Sequence, residues 1–149
     1  MSTLQERITP DLKAAMRAKD QAALRGIRAI KNAILLQKTD GSGTELDEAG
    51  EIALLQKLVK SRQESLDIYV KQGREDLAAP EREEIEVISR YLPAALSAEE
   101  LTALVAEVVA ETGASSMKDM GRVIGQVNAR AAGRADGKTI AGAVKAALA

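Results

Sequence analysis

The stretch that divides this chain is residues 91–101, which reads YLPAALSAEEL. A residue that precedes proline is disfavoured in the helical region, so the helix that leads to Leu92 is predicted to end before Pro93. A little further on, Ser97 and Glu100 have the S-x-x-E spacing of a capping box, which predicts the start of a new helix. The sequence therefore predicts two domains, residues 1–95 and residues 96–149.

Composition outside this stretch favours helix. Alanine occurs 27 times in 149 residues, and the only aromatic residues are Tyr69 and Tyr91. Alanine is the strongest helix former, whereas sheets are rich in aromatic and β-branched residues. We therefore predict an all-α fold of two helical domains, an elongated N-terminal helical bundle and a compact three-helix C-terminal domain.

Apolar spacing predicts four helices in the first domain. The first has two possible starts: either Thr9 caps a helix that begins at Pro10, or Pro10 lies within a longer helix capped by Ser2 or Thr3. Three further helices are predicted over residues 21–37, capped by Asp20, and over 47–71 and 74–92. A flexible turn is predicted at 38–46, and a start or kink at Pro80. The predicted inward stripes are Leu4, Ile8, Leu12, Met16, Leu24, Ile27, Ile30, Ile34, Leu35, Ile52, Leu55, Leu58, Val59, Leu66, Tyr69, Leu77, Ile85, Ile88 and Leu92.

Three helices are predicted in the second domain. The first covers residues 98–112 and ends at Gly113. The second opens at Ser116, whose spacing to Asp119 forms another capping box, and is closed by Gly133 after residue 131. The third begins at Asp136. The predicted inward residues are Leu101, Leu104, Val105, Val108, Val109, Ile140, Val144 and Leu148.

The residue types that are absent exclude several kinds of active site. The chain contains no histidine and no cysteine, which excludes imidazole or thiol catalysis, zinc fingers and iron–sulfur clusters. The glutamates at 81, 83, 84 and 86 could hold magnesium or act as acid–base groups, but a solvated acidic face is the favoured interpretation. We therefore predict no catalytic residue, no metal and no cofactor.

Charge is strongly segregated although the net charge is only −1. Residues 1–38 carry eight basic and three acidic residues, residues 39–112 seven and seventeen, and residues 113–149 six and two. The basic ends are either solvated helix faces or surfaces that meet a polyanion. The best candidates for an RNA site are Lys118, Arg122, Arg130, Arg134 and Lys138, with Arg25, Arg28 and Lys31 as an extension. With so few aromatic residues, contact with RNA is expected at the backbone and not by base stacking.

Small residues recur every four positions at Gly121, Gly125, Ala129 and Gly133. On a helix this spacing forms one stripe, which predicts close approach of a second helix. The alternative is that the helix backbone itself approaches a ligand. The segment is too polar to span a bilayer, and the chain has no phosphate-loop motif.

Several strings taken together resemble the YqeY family. They are Tyr91-Leu92-Pro93, Leu96-Ser97, Glu100-Leu101, GASSMKDMG at 113–121, GRADGK at 133–138, Asp11-Leu12-Lys13, Ala15-Met16, Leu24-Arg25, Ile27-Arg28, Gly73-Arg74 and Asp76-Leu77-Ala78. The resemblance covers nearly the whole chain, and Pro10 and Pro80 depart from the family pattern. It implies an all-helical fold in two domains. It also implies similarity to the C-terminal tail of GatB, the tRNA-binding subunit of the glutamine-dependent tRNA amidotransferase.

Three functions follow as expectations. The first, which we favour, is a non-catalytic module that recognises the shape of tRNA through its backbone phosphates. The second is a protein-interaction module that docks on a tRNA synthetase or an amidotransferase. The third is carbon–nitrogen ligase activity with glutamine as amido-N-donor, which the family implies although the catalytic domain of GatB has no counterpart in this chain.

The sequence also bears on location. The N-terminal residues show no apolar core of a signal peptide, and no apolar run approaches the roughly 20 residues of a membrane span. We therefore expect a cytoplasmic protein without a membrane partner.

Overall fold

The computed structural model describes residues 3–39 and 46–149. Within them the chain forms seven α-helices and one 3₁₀ turn, and no β-strand. The helices are α1 (Leu4–Ala18), α2 (Gln21–Thr39), α3 (Glu48–Lys71), α4 (Glu75–Ser89), α5 (Ala98–Thr112), α6 (Met120–Ala131) and α7 (Gly137–Leu148). The prediction of an all-α fold is confirmed. The turn predicted at 38–46 falls mainly on residues 40–45, which lie outside the described residues, as does the possible cap Ser2.

The chain divides into two compact units, Met1–Leu92 and Pro93–Ala149. Each unit has an apolar core of its own, and neither core contains a residue of the other unit. The first core joins α1 to α4 through side chains that are at most 2% exposed, among them Leu4, Ile8, Ile30, Leu55 and Ile88. The second core joins α5, α6 and α7 through Val105, Val108, Val123, Val127, Ile140 and Val144, each at most 1% exposed. Removal of this apolar surface from water is the main force that holds each unit together.

Side-chain caps set where most helices begin. A side-chain oxygen accepts a hydrogen bond from a backbone N–H in the first turn at Thr3 (3.1 Å), Asp20 (3.1 Å), Asp47 (2.7 Å), Ser97 (3.0 Å) and Asp136 (2.7 Å). The capping box at Ser97 is complete, because Glu100 accepts in return from the Ser97 N–H at 3.1 Å. The caps predicted at Asp20 and Ser97 are confirmed, since each satisfies a donor that the helix leaves unpaired. Asp136, where the last helix was predicted to begin, is its cap.

Two prolines lie inside helices. α1 runs through Pro10 from its cap at Thr3, so Thr9 is not a cap, and its hydroxyl donates to the Gln5 carbonyl at 2.8 Å. α4 likewise runs through Pro80. Each proline removes one helical hydrogen bond, and burial of the surrounding apolar face offsets that loss: Ile8 is 2% and Ala78 is 0% exposed.

The start and end of α6 differ from the prediction. Ser116 accepts from the Lys118 N–H at 3.4 Å and opens a 3₁₀ turn, Met117–Asp119, so the α-helix begins only at Met120. At its other end Ala132 adopts the left-handed conformation at φ 49°, one residue before the predicted Gly133. The second capping box is not formed, so that prediction is wrong: the Asp119 N–H donates to the Ser116 carbonyl at 3.0 Å, and Asp119 Oδ2 accepts from the Ser115 N–H at 3.0 Å.

Three apolar residues predicted to face inward lie at the surface. Met16, Leu35 and Leu77 are 56%, 59% and 38% exposed. Because a helix repeats every 3.6 residues, three four-residue steps from Leu4 to Met16 rotate the side chain by about 120° away from the core. Ala15, at 4% exposure, takes the inward place instead.

Contrary to the prediction, the α6 glycines do not pack closely against a second helix; a close approach occurs at another glycine. Nothing lies within 4 Å of a Cβ built on Gly121 or Gly125, so that prediction is wrong. α6 packs instead through Val123 and Val127, both 0% exposed. A close approach of two helices occurs at Gly26 on α2, where a Cβ would lie 2.6 Å from Val87 Cγ1 on α4.

Candidate nucleic-acid interface

The five basic residues predicted to contact RNA all lie in the second unit, Pro93–Ala149. Lys118 lies in the 3₁₀ turn, Arg122 and Arg130 lie on α6, Arg134 lies in the connection to α7, and Lys138 lies in the first turn of α7. Their side-chain contacts separate them into two groups. The three arginines bind other parts of the same unit, whereas the two lysines do not.

The arginines of α6 face α5. Arg130 forms ion pairs with two glutamates of α5: its Nη1 lies 3.6 Å from Glu107 Oε1, and its Nη2 bonds to Glu111. Arg122 donates from Nη2 to the Thr112 carbonyl at 3.4 Å and lies 3.2 Å from Asp119 Oδ1. These side chains therefore connect two helices, and much of their charge is neutralised within the unit.

Arg134 holds the segment that precedes α5. Its Nε donates to the Ala94 carbonyl at 2.9 Å, and its own carbonyl accepts from the Leu96 N–H at 2.8 Å. Its Nη2 also lies 3.8 Å from Glu100 Oε2. Arg134 therefore has a structural role. It was predicted to contact RNA from the charge pattern, which does not show which carboxylate lies near it in the folded chain.

We expect the substitution Arg130→Gln to raise the pKa of Glu111. The hydrogen bond from Arg130 holds the pKa of this carboxyl below its ordinary value of 4.5. The stabilisation from this contact is therefore present above the unfolded-state pKa and is lost as the pH falls through the folded-state pKa. A ¹³C NMR titration of the glutamate carboxyls measures the change. Arg82→Gln, which removes the partner of Glu75 on α4, is the matched control; a Glu111 pKa that does not change in Arg130→Gln contradicts the assignment.

The two lysines lie beside open glycines. Within residues 3–39 and 46–149, neither Lys118 nor Lys138 has a carboxylate oxygen within 4.0 Å. Gly121 and Gly125 are four residues apart and share one side of α6, and Lys118 lies in the 3₁₀ turn just before that helix. On α7, Lys138, Gly142 and Lys145 share one side, and a Cβ built on Gly142 would also meet nothing within 4 Å. We call these residues the two lysine–glycine stripes.

Lys145 was missed by sequence reasoning. It is exposed on α7 and, like Lys138, has no carboxylate within 4.0 Å among the described residues. The signal in the sequence was its spacing of seven residues from Lys138, which places both on one side of a helix.

The residues predicted to extend the site lie in the first unit. Arg25 forms an ion pair with Glu83 at 2.5 Å. Arg28 and Lys31 are exposed, and no carboxylate in the described part of the chain lies within 4.0 Å of either. The three therefore do not act as one group, because only Arg25 is neutralised.

The acidic cluster on α4 consists mainly of ion-pair partners. Besides Glu83, Glu84 lies 3.9 Å from Arg62 and Glu86 lies 3.2 Å from Arg90. Among the residues that the structure describes, no group of three or more acidic side chains is placed to hold a metal ion. These contacts give the cluster a structural role. Only Glu83 and Glu86 are exposed, whereas the Glu84 side chain is 17% exposed and Glu81 Oε2 is buried, so the predicted solvated face is found in part.

One open cavity of about 410 Å³ lies in the first unit, between α1, α2 and the end of α4. Its floor is largely alanine. The polar groups on its rim already have partners: the Tyr91 hydroxyl donates to Asp11 Oδ2 at 2.5 Å, Asp20 caps α2, and Arg90 pairs with Glu86. Burial, with that hydrogen bond, raises the pKa of Tyr91. The cavity therefore offers no unpaired polar group to a ligand.

The structure defines a class of helical protein with two units, each of which has an apolar core of its own. The units carry exposed lysines, and most of the arginines form contacts within the protein. Sequence comparison identifies the family within this class to which the chain belongs. Residues 5–148 match the family described as Yqey-like protein. The chain therefore belongs to the YqeY family, and the predicted resemblance is confirmed.

Curated relatives carry the name "Altered inheritance of mitochondria protein 41, mitochondrial". The protein of Vanderwaltozyma polyspora is 38% identical over 82 residues, which are 55% of this chain and 44% of that protein. That of Eremothecium gossypii is 39% identical over 95 residues, 62% of this chain and 52% of that protein. That of Kluyveromyces lactis is 33% identical over 140 residues, 91% and 71% of the two chains. The matched region thus spans about half the length of the first two relatives.

These relatives contradict the predicted cytoplasmic location, because each is named as a mitochondrial protein. The prediction was wrong because it rested on the absence of a recognised targeting signal. No residue of the chain gave positive support for a cytoplasmic location. Among the described helices, none is both long and apolar enough to cross a membrane.

Proposed function

We propose that this chain is a non-catalytic module that binds tRNA through its backbone phosphates, with the second unit as the binding surface. The observation that carries the proposal is the pair of lysine–glycine stripes. In each stripe an exposed lysine, with no carboxylate oxygen within 4.0 Å among the described residues, lies near a glycine whose Cβ, if added, would meet nothing within 4 Å. The similarity to the tail of GatB supplies tRNA as the class of RNA.

A helix surface without side chains suits a sugar–phosphate backbone. Gly121 and Gly125 leave the α6 backbone open to close approach. Lys118, in the 3₁₀ turn just before α6, adds a positive charge. Lysine binds phosphate as a point charge and does not fix its geometry, which favours shape over sequence. The lysines that carry this role are Lys118, Lys138 and Lys145.

Arg122, Arg130 and Arg134 have a supporting role in this proposal. Their contacts with α5 and with the segment before it hold the helices in place. Arg122, whose side chain is 53% exposed, can also reach a bound phosphate from beside Gly121. A change at Arg134 would disturb the fold, so it is not a suitable probe of RNA binding.

The test is a titration of unmodified tRNA into the full chain, measured by filter binding over a range of salt concentrations. The variant Lys118→Glu with Lys138→Glu is expected to weaken binding at least tenfold at low salt. Each lost phosphate contact is also expected to reduce the slope of log K against log salt by about 0.7 to 0.9. Lys57→Glu with Lys60→Glu on α3, in the first unit, is the matched control and is expected to bind like the parent chain.

A second variant separates steric access from charge. Gly125→Leu keeps the charge of α6 and places a side chain in open space, so it is expected to retain the fold and to reduce tRNA binding. Circular dichroism checks the fold of each variant. Binding that is unaffected by both Gly125→Leu and the double lysine variant would reject this surface, and an absence of binding at low salt would reject the function.

A further inference from the structure

A second surface of the protein combines exposed apolar and basic residues along the seam between α1 and α2. Helical spacing places Gln5, Thr9, Lys13 and Met16 on one side of α1, and Arg28, Lys31, Leu35 and Lys38 on one side of α2. A hydrogen bond between Lys38 and Gln5 joins the two sides. We call this surface the α1–α2 face. Met16 and Leu35 are 56% and 59% exposed. Neither is needed for the core, because Ala15 and Ile34 take the inward positions at 4% and 5% exposure.

Helix geometry places these residues on one side of the molecule. Within each helix they follow spacings of three and four residues, which share a side. The two-residue connection at Lys19 and Asp20 makes α1 and α2 antiparallel neighbours. The Lys38 Nζ donates to Gln5 Oε1 at 2.9 Å, which joins the two stripes at one end. At 1.5 Å per residue the face extends about 17 Å from Gln5 to Met16.

Charge on this face is mainly basic, with Glu6, three residues before Thr9, as its acidic residue on α1. In the described residues no carboxylate lies within 4.0 Å of Lys13, Arg28, Lys31 or Lys38. Most other arginines of the chain have such a partner: Arg25, Arg62, Arg74, Arg82, Arg90, Arg122, Arg130 and Arg134. The basic residues of the α1–α2 face therefore lack the ion-pair partners that most other arginines have, and a partner of negative charge would supply them.

We infer that the α1–α2 face docks an acidic amphipathic helix of a partner protein. The shallow seam between two antiparallel helices accepts a third helix along it, and its length matches about three helical turns. Met16 and Leu35 pack against the apolar stripe of that helix, and the basic residues pair with its flanking carboxylates. Charge complementarity gives the contact its selectivity and its speed of association.

The same features disfavour the other occupants. RNA gains little from exposed leucine and methionine, which interact weakly with phosphate. A second copy docked by the same face would bring lysine against lysine, which is repulsive. A bilayer is disfavoured because the two exposed side chains provide a small apolar area for insertion.

The test uses two designed peptides of fourteen residues with the same leucines at helical spacing. One carries glutamate at every polar position of its flanks, and the other carries lysine there. Fluorescence anisotropy of labelled peptide with the full chain is expected to show micromolar, salt-sensitive binding of the acidic peptide only. Lys13→Glu with Lys31→Glu, and separately Met16→Ser with Leu35→Ser, are each expected to weaken it at least tenfold. Ile68→Ser with Lys71→Glu is the matched control, since Ile68 is an exposed apolar residue on α3.

Several results would overturn the inference. Equal binding of the two peptides would show that charge does not select the partner, and no binding of either would remove the docking role. Loss of tRNA binding in Lys13→Glu with Lys31→Glu, without loss of peptide binding, would assign the basic residues to RNA. Binding to phosphatidylglycerol vesicles that depends on Leu35, with no peptide binding, would assign the face to lipid. The proposed tRNA surface lies in the second unit, so failure of either proposal leaves the other testable.

Discussion

Gly26→Ala is expected to destabilise the first unit by about 2 kcal/mol or more, which is the effect of forcing extra volume into a packed core. A Cβ at this position would lie 2.6 Å from Val87 Cγ1 and 2.7 Å from Val87 Cβ. Val87 is 3% exposed and cannot move into solvent. α2 and α4 must therefore separate, which opens the core around Ile30 and Ile88.

Urea unfolding followed by tyrosine fluorescence measures this effect. Tyr69 and Tyr91 are the only aromatic residues of the chain, and both lie in the first unit. Val87→Ala is not expected to restore stability, because the Val87 Cβ itself would remain 2.7 Å from the new methyl group.

The matched control is the same substitution in open space. Gly121 lies within a helix, and a Cβ added there would meet nothing within 4 Å, so Gly121→Ala is expected to stabilise the second unit by about 0.5–1 kcal/mol. The two changes are chemically identical, and only tertiary packing gives them opposite signs. A tyrosine transition in Gly26→Ala at the urea concentration of the parent would show that the two helices do not approach closely there.

Ile140→Ala is expected to unfold much of the second unit while the first stays folded. Ile140 is 0% exposed at the centre of the second core. Truncation of a buried isoleucine to alanine costs about 2–5 kcal/mol, and a unit of this size has little stability in reserve. The two cores share no residue, so the loss is expected to remain in α5, α6 and α7.

Two signals together test this expectation. Far-ultraviolet circular dichroism reports helix in both units, whereas tyrosine fluorescence reports the first unit alone. Ile140→Ala is expected to shift part of the dichroism transition to lower urea and to leave the fluorescence transition in place. Lys145→Ala, at an exposed position of α7, is the control and is expected to change stability by less than about 0.5 kcal/mol. A fluorescence transition that moves with the dichroism would show that the two units unfold as one.

The candidate site illustrates how far charge patterns can be read from sequence. The segment 113–149 is basic, and among the described residues Lys118 and Lys138 are exposed there with no carboxylate oxygen within 4.0 Å. Arg130 and Arg134 belong to the same basic segment, yet their partners Glu111 and Glu100 come from α5. Sequence alone does not show such pairs, because the two members of each are far apart in the chain.

The glycines show the same limit. The stripe at Gly121 and Gly125 has the spacing that close helix packing requires, but no helix lies against it. Gly26 follows Ala22 by the same four residues, and there Val87 does occupy the space that a Cβ would take. A glycine pattern indicates where two helices can approach closely. Whether they approach there depends on where larger apolar side chains are buried.

The sequence by itself determined the helical class, the caps at Asp20, Ser97 and Asp136, the core residues of α5 and α7, and the family. These features depend on local hydrogen bonds and on the 3.6-residue period, which neighbouring residues specify without the rest of the chain. Tertiary structure decided which arginines are neutralised, which glycine is crowded, and that α1 and α4 continue through their prolines. Each of these depends on contacts between residues distant in sequence, where the free energy of packing outweighs local preference.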